Sequence, residues 1–151
     1  MDYIDKMLER VKDYDQHVQE RVKVSSIILS ALAHITLIKM EQDKGIGITI
    51  DELIEMMQQF NIDSRVTIRK FSIDSDEDRV YICECVIAMY MEGMVEMDML
   101  NAISGLSITP EGMATGAELF MNYKLMDKSP VYNARKIIKK ANKLQNSIRN
   151  N

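Results

Sequence analysis

Apolar residues recur along this chain with the period of helices in five places and the period of a strand in one. From residue 2 to 22, Ile4, Leu8, Val11, Tyr14, Val18 and Val22 return every three or four positions among mixed charges. That spacing predicts a helix with one narrow apolar stripe, suited to packing against a single partner helix. From 24 to 43 the pattern widens. Ile27, Ile28, Leu29, Ala31, Leu32, Ile35, Leu37 and Ile38 make the segment apolar nearly all round, so it belongs inside. It is either a second helix or a continuation of the first past Ser25-Ser26.

Gly45-Ile46-Gly47 ends that run, and Ile48-Thr49-Ile50 is short enough to pair as a strand. Thr49 and Glu52 then form a capping box for a helix of about ten residues that buries Leu53, Ile54, Met57 and Phe60. Residues 61 to 74 fit an edge strand or a helical turn equally well. Ser75 followed by Asp76-Glu77-Asp78 caps the next helix and complements its dipole. That helix runs to about Glu92, with Gly93 as its stop. Its apolar residues Ile82, Cys83, Cys85, Val86, Ile87, Met89 and Tyr90 imply burial, leaving Glu77, Tyr81, Glu84, Ala88 and Met91 as a thin outer face.

Val95, Met97 and Met99 alternate with Glu96, Asp98 and Leu100 as in a strand, and Leu106–Ile108 returns after a turn. Thr109 caps another helix with Pro110 at its first position, burying Met113, Ala117 and Phe120. Lys128-Ser129-Pro130 breaks the chain before a tail in which Ala134, Ile137, Ala141, Leu144 and Ile148 form a heptad-like seam. The tail is the natural mate of the narrow-striped N-terminal helix, within one chain or across a dimer. On this reading Ile4, Leu8, Val11, Ile137, Ala141 and Leu144 are the partner-binding positions.

Charge sharpens the picture. Residues 1–123 hold 11 Lys/Arg and 22 Asp/Glu, a net of −11, whereas residues 124–151 hold 8 Lys/Arg and one acid, a net of +7. Such asymmetry suggests that the tail docks on its own acidic body or meets an anionic partner. The apolar run Ile27–Met40 is short and interrupted by Ser30, His34, Thr36 and Lys39, so no membrane span is expected. With an acidic N-terminus, the expectation is a cytoplasmic protein. Cys83 and Cys85 lie two apart, point to different faces of a helix, and read as small buried hydrophobes. His17 and His34 have no second ligand or nucleophile near them in sequence. No catalytic residue, cofactor or metal site is expected.

The order of helix, hairpin and helix resembles the winged-helix superfamily. The nearest likeness is to small YjcQ-like winged-helix proteins of Gram-positive bacteria and their phages. It rests on Met89-Tyr90-Met91-Glu92-Gly93-Met94-Val95, on Ile108-Thr109-Pro110-Glu111-Gly112, and on Val131-Tyr132 followed by Arg135-Lys136-Ile137-Ile138-Lys139-Lys140. The expected fold class is therefore mainly α with a small β-hairpin. Residues 1–23 form a helical arm, 24–127 a winged-helix domain and 128–151 a basic C-terminal helix.

The resemblance implies a nucleic-acid-binding transcriptional regulator acting as a homodimer on duplex DNA. Phosphate contacts would come from Arg65, Arg69 and Lys70, the basic cluster of the acidic body, and from Arg135, Lys136, Lys139, Lys140 and Lys143 of the basic tail. Two features resist it. Sixteen positions separate Phe60 from Asp76, against a usual turn of three or four. The helix that should read bases offers Glu77 and Glu84, and the wing adds Glu96 and Asp98. The alternative is a protein-interaction module, of phage or plasmid type, that meets its partner through that acidic helix and wing. Met89, Met91, Met94, Met97 and Met99 are core fillers on one reading and an adaptable binding surface on the other.

Overall fold

A single helix, α1 (Tyr3–Glu41), runs through 39 residues and about 58 Å. The structure is a computed structural model that describes residues 2–45, 47–61, 68–98 and 105–134. The question left open by Ser25-Ser26 is settled as continuity. Ser26 Oγ donates to the Val22 carbonyl at 2.9 Å, and Ser30 Oγ donates to the Ser26 carbonyl at 2.8 Å. Bonding back to the preceding turn satisfies these hydroxyls without breaking the helix. What changes along α1 is its surroundings. Residues 2–19 are all exposed, whereas Val24 and every residue from Ile27 to Leu37 are buried.

The rest of the chain wraps that buried half. In order come α2 (Ile50–Gln59), α3 (Asp76–Met91), β1 (Val95–Met97), β2 (Leu106–Ile108) and α4 (Pro110–Tyr123), then a 3-10 turn (Pro130–Asn133). The fold is thus mainly helical with a small two-stranded antiparallel sheet. Val95 pairs with Ile108, Glu96 with Ser107 and Met97 with Leu106. Ile48 joins the sheet by a single bridge, exchanging both backbone hydrogen bonds with Leu106 at 2.8 and 3.1 Å.

Local signals set the boundaries. Thr49 Oγ1 accepts from the Glu52 amide at 3.0 Å while Glu52 Oε1 accepts from the Thr49 amide at 3.3 Å, completing the capping box. Ser75 Oγ accepts from the Asp78 amide at the start of α3. Gly93 ends that helix with a φ of +80°, a left-handed conformation that glycine adopts without a steric penalty. Thr109 caps α4 by accepting from the Gly112 amide and ties it to α3 by donating to the Gly93 carbonyl at 2.7 Å. Pro130 begins a 3-10 turn where the C-terminal helix expected over 128–151 would start, and Ser129 Oγ caps it by accepting from the Val131 amide.

The core joins Ile27, Ile28 and Leu32 of α1 to Leu53 and Ile54 of α2, Ile82 and Val86 of α3, Leu106 of β2, and Ala117 and Phe120 of α4. α4 lies closest to α1. A Cβ on Gly116 would sit 2.5 Å from the Leu29 carbonyl oxygen and 3.2 Å from the Ala33 Cβ, so the two helices meet at distances only a glycine permits.

Two expectations for α3 need correction. Ile87 and Tyr90 are exposed, at 46% and 43%, and Tyr81 is half-buried. α3 packs on α1, β1 and α2 from one side only, and no described element covers the other. An almost uniformly apolar helix carries no periodic signal of which side that will be. α1 is also long and apolar enough to pass for a membrane span by length and composition, contrary to the short-run argument. However, 67% of its most apolar window is packed inside the fold.

Glycine-to-alanine changes inside helices usually stabilise by up to about 1 kcal/mol. Gly116→Ala is expected to do the reverse, costing roughly 1–3 kcal/mol through overpacking against the Leu29 backbone. Urea unfolding monitored by circular dichroism measures the sign, and an unchanged or raised midpoint would show that α1 and α4 are not in such close contact.

Candidate protein-binding face

The outer side of α3 carries Glu77, Val80, Glu84, Ile87 and Met91 at helical spacing, with Tyr90 beside them. Val80 is 57% exposed and Met91 80%. Large apolar side chains in a row on an exposed helix mark an interaction surface more often than they mark chance. Asp74, Asp76, Glu92 and Glu96, all exposed, frame the row with negative charge.

The arginines nearest this face are engaged within the chain. Arg21 reaches from α1 to Glu84 at 2.9 Å. Arg79 pairs with Asp51 of α2. Arg69 is held by four neighbours: it pairs with Asp78 at 2.6 Å and Glu20 at 3.4 Å, and its guanidinium covers the rings of Phe71 at 4.3 Å and Tyr81 at 5.1 Å. The hydrogen bond to Asp78 strengthens the positive charge on Arg69, and the same bond holds the Asp78 carboxyl below its ordinary range. Asp78 also accepts from the Ser72 amide at 2.9 Å, which fixes the entry to α3. Exposed pairs of this kind each contribute about 0–1 kcal/mol, so they orient α3 more than they stabilise it.

Among the expected nucleic-acid contacts, then, Arg69 pairs with Asp78 and Glu20 of its own chain, and both Arg69 and Lys70 are exposed on the surface. Arg65, Arg135, Lys136, Lys139, Lys140 and Lys143 lie outside the described residues, as do Ile137, Ala141 and Leu144. Ile4, Leu8 and Val11 are exposed on the arm of α1. Met91 is the methionine of the cluster that stands fully in solvent, and Met89 is buried. Met99 lies outside the described residues.

The structure also brings together a pair that sequence separation concealed. His34 of α1 is buried, stacks on Phe120 at 5.3 Å, and places Nδ1 2.6 Å from Ser129 Oγ, 95 positions away. Ser129 Oγ also accepts from the Val131 amide at 3.1 Å, so the one hydroxyl links the imidazole to the start of the 3-10 turn. Through this contact the histidine clasps the segment after α4 to α1. Only the fold could reveal this, because neither residue has a local motif. Cys83 and Cys85 are free, and burial pushes both thiols up, away from the reactive thiolate.

No protein-family model, curated protein sequence or solved structure matches this chain. The face of α3 therefore has to be interpreted from its own chemistry.

Burial holds the His34 imidazole below its ordinary value. The folded state keeps the ring neutral while the unfolded chain takes up a proton as pH falls below about 6.5. Stability from this group is complete above that pH and is lost as pH falls toward the folded value. The melting temperature of the natural protein should drop more between about pH 7.5 and 5.5 than that of His34→Gln, as followed by circular dichroism. Equal drops would place the pH sensitivity elsewhere.

Proposed function

We propose that this chain is a small cytosolic protein-interaction module built on a winged-helix core, and that the outer face of α3 is its docking surface. The order of α2, α3, β1 and β2, with Ile48 bridging to Leu106, supports the winged-helix reading. In that arrangement α3 holds the position from which a DNA-binding relative reads bases, and fold alone decides nothing about what it reads here.

The observation that carries the proposal is the composition of that exposed surface. It joins Val80, Ile87, Tyr90 and Met91 to Glu77, Glu92 and Glu96, with Glu84 paired to Arg21. A phosphate backbone would face repulsion of about 1 kcal/mol or more from each acid at 4 to 6 Å. A protein surface with an apolar centre and a lysine- or arginine-rich rim would match both features, since interfaces place apolar anchors at the centre and complementary charge around them. The net charge of +7 in residues 124–151 favours a second reading, binding of duplex DNA through that segment and Lys70.

The two separate experimentally. Val80→Glu combined with Ile87→Glu changes exposed side chains only and should leave the thermal transition within about 1 kcal/mol of the natural protein. It should abolish co-purification of a specific partner from the source cells and not alter behaviour toward DNA. Retardation of random duplex at low salt that falls steeply as salt rises, and that survives this double substitution, would favour the DNA reading instead.

A further inference from the structure

The surface beside the outer row of α3 is not flat. Glu84, Ala88 and Glu92 follow one another a turn apart along the helix, and next to the last two a groove of about 370 Å3 opens between α1, α3 and α4. Its deeper lining is Leu29 and Met89, both buried, with Met94 and Leu119 half-buried. The two methionines let that lining reshape around an inserted side chain. Ala88 and Glu92 are the sequence neighbours of Ile87 and Met91, so the groove lies directly beside the exposed apolar row.

Charge at the groove has one sign once internal pairs are set aside. Arg21, the cation that lines it, is paired with Glu84 at 2.9 Å. Glu92 lines it as well, and Glu118 stands one turn along α4 from Thr115, another lining residue. Both acids are exposed, and no ion pair holds either among the described residues. An occupant that matches this surface brings an apolar side chain for the groove and lysine or arginine for the two carboxylates. The spacing of the row selects its conformation. Val80, Ile87 and Met91 are seven and four positions apart, which along a helix axis is about 10.5 and 6 Å. A second helix laid alongside repeats those intervals with its own positions i, i+7 and i+11. An extended strand presents one face every ~6.7 Å and falls out of step by about half a repeat over the longer interval.

We infer that the partner docks as a basic amphipathic helix laid along α3, with one apolar side chain inserted into the groove between α1, α3 and α4 and its cations opposite Glu92 and Glu118. The inference rests on α3 being the docking surface, and it adds the class of partner and the point of anchorage. An apolar stripe set into a groove, with charge along its edges, is a recurring way for one helix to recognise another protein.

The probe is a fluorescein-labelled peptide of about 16 residues, leucine at i, i+4, i+7 and i+11 and lysine elsewhere, titrated with the full chain and followed by anisotropy. It should bind with a Kd below about 50 µM. The same peptide with glutamate for lysine, and one interrupted by two central prolines, should each bind at least about tenfold more weakly. Ala88→Phe, which fills the groove, and Glu92→Lys should each weaken the lysine peptide about fivefold or more. Asp5→Lys makes the same charge change on the arm, about 20 Å along α1 from Val18, and should leave binding within about twofold. Glu92 is exposed, so its variant tests the site even where Ala88→Phe disturbs the fold, and thermal melting of each variant shows which case holds. No binding, equal binding of the proline peptide, or equal weakening by Asp5→Lys and Glu92→Lys would overturn the inference. Loss of partner co-purification on the Val80/Ile87 change, with no effect of Ala88→Phe or Glu92→Lys, would keep α3 as the docking surface and remove the groove as its anchor.

Discussion

The architecture depends on how closely α4 approaches α1. At Gly116 the α4 backbone comes near enough to the Leu29 carbonyl that a single added carbon would overlap it. That approach sets the depth of Phe120, which then stacks on His34 and meets Phe60 and Tyr132 edge-on. At the other end of α4, Gly112 lets the Met94 carbonyl pass where a Cβ would stand 2.0 Å away. Thr109 can then bond to the turn after α3, and β2 is carried to β1 and Ile48. Two glycines on one helix therefore position the core, the sheet and the end of α3.

Around that core, charge orients rather than stabilises. Arg21, Arg69 and Arg79 each reach between segments distant in sequence, to Glu84, Glu20 with Asp78, and Asp51. Those ion pairs leave Glu77, Glu92 and Glu96 outside them on the α3 surface. A protein with 11 cations against 22 acids in its first 123 residues thus turns a negative and partly apolar face outward.

α1 has two environments and one helical geometry. Its second half is the centre of the fold, and its first half has no neighbour among the described residues. A lone helix of about 17 residues is marginal in water, since nucleation is costly and propagation gains little per residue. Continuity with the buried half supplies the nucleus.

Much of this was legible in the chain. The capping box at Thr49 and Glu52, the Ser75 and Thr109 caps, the glycine stop at Gly93 and the two-residue alternation of β1 are local signals, and local physics set those boundaries. The buried faces of α2 and α4 followed from their period. The exposed side of α3 did not, because Ile87 and Tyr90 look like their buried neighbours and only the absence of a covering layer among the described residues distinguishes them. The contact of His34 with Ser129 and the capture of Arg69 by Glu20 were equally hidden, since partners tens of residues apart have no mutual signal in one sequence. Sequence alone determined where each element starts, stops and buries a regular stripe. Tertiary structure decided which apolar face stays in water and which cations remain available, because both depend on what is packed alongside.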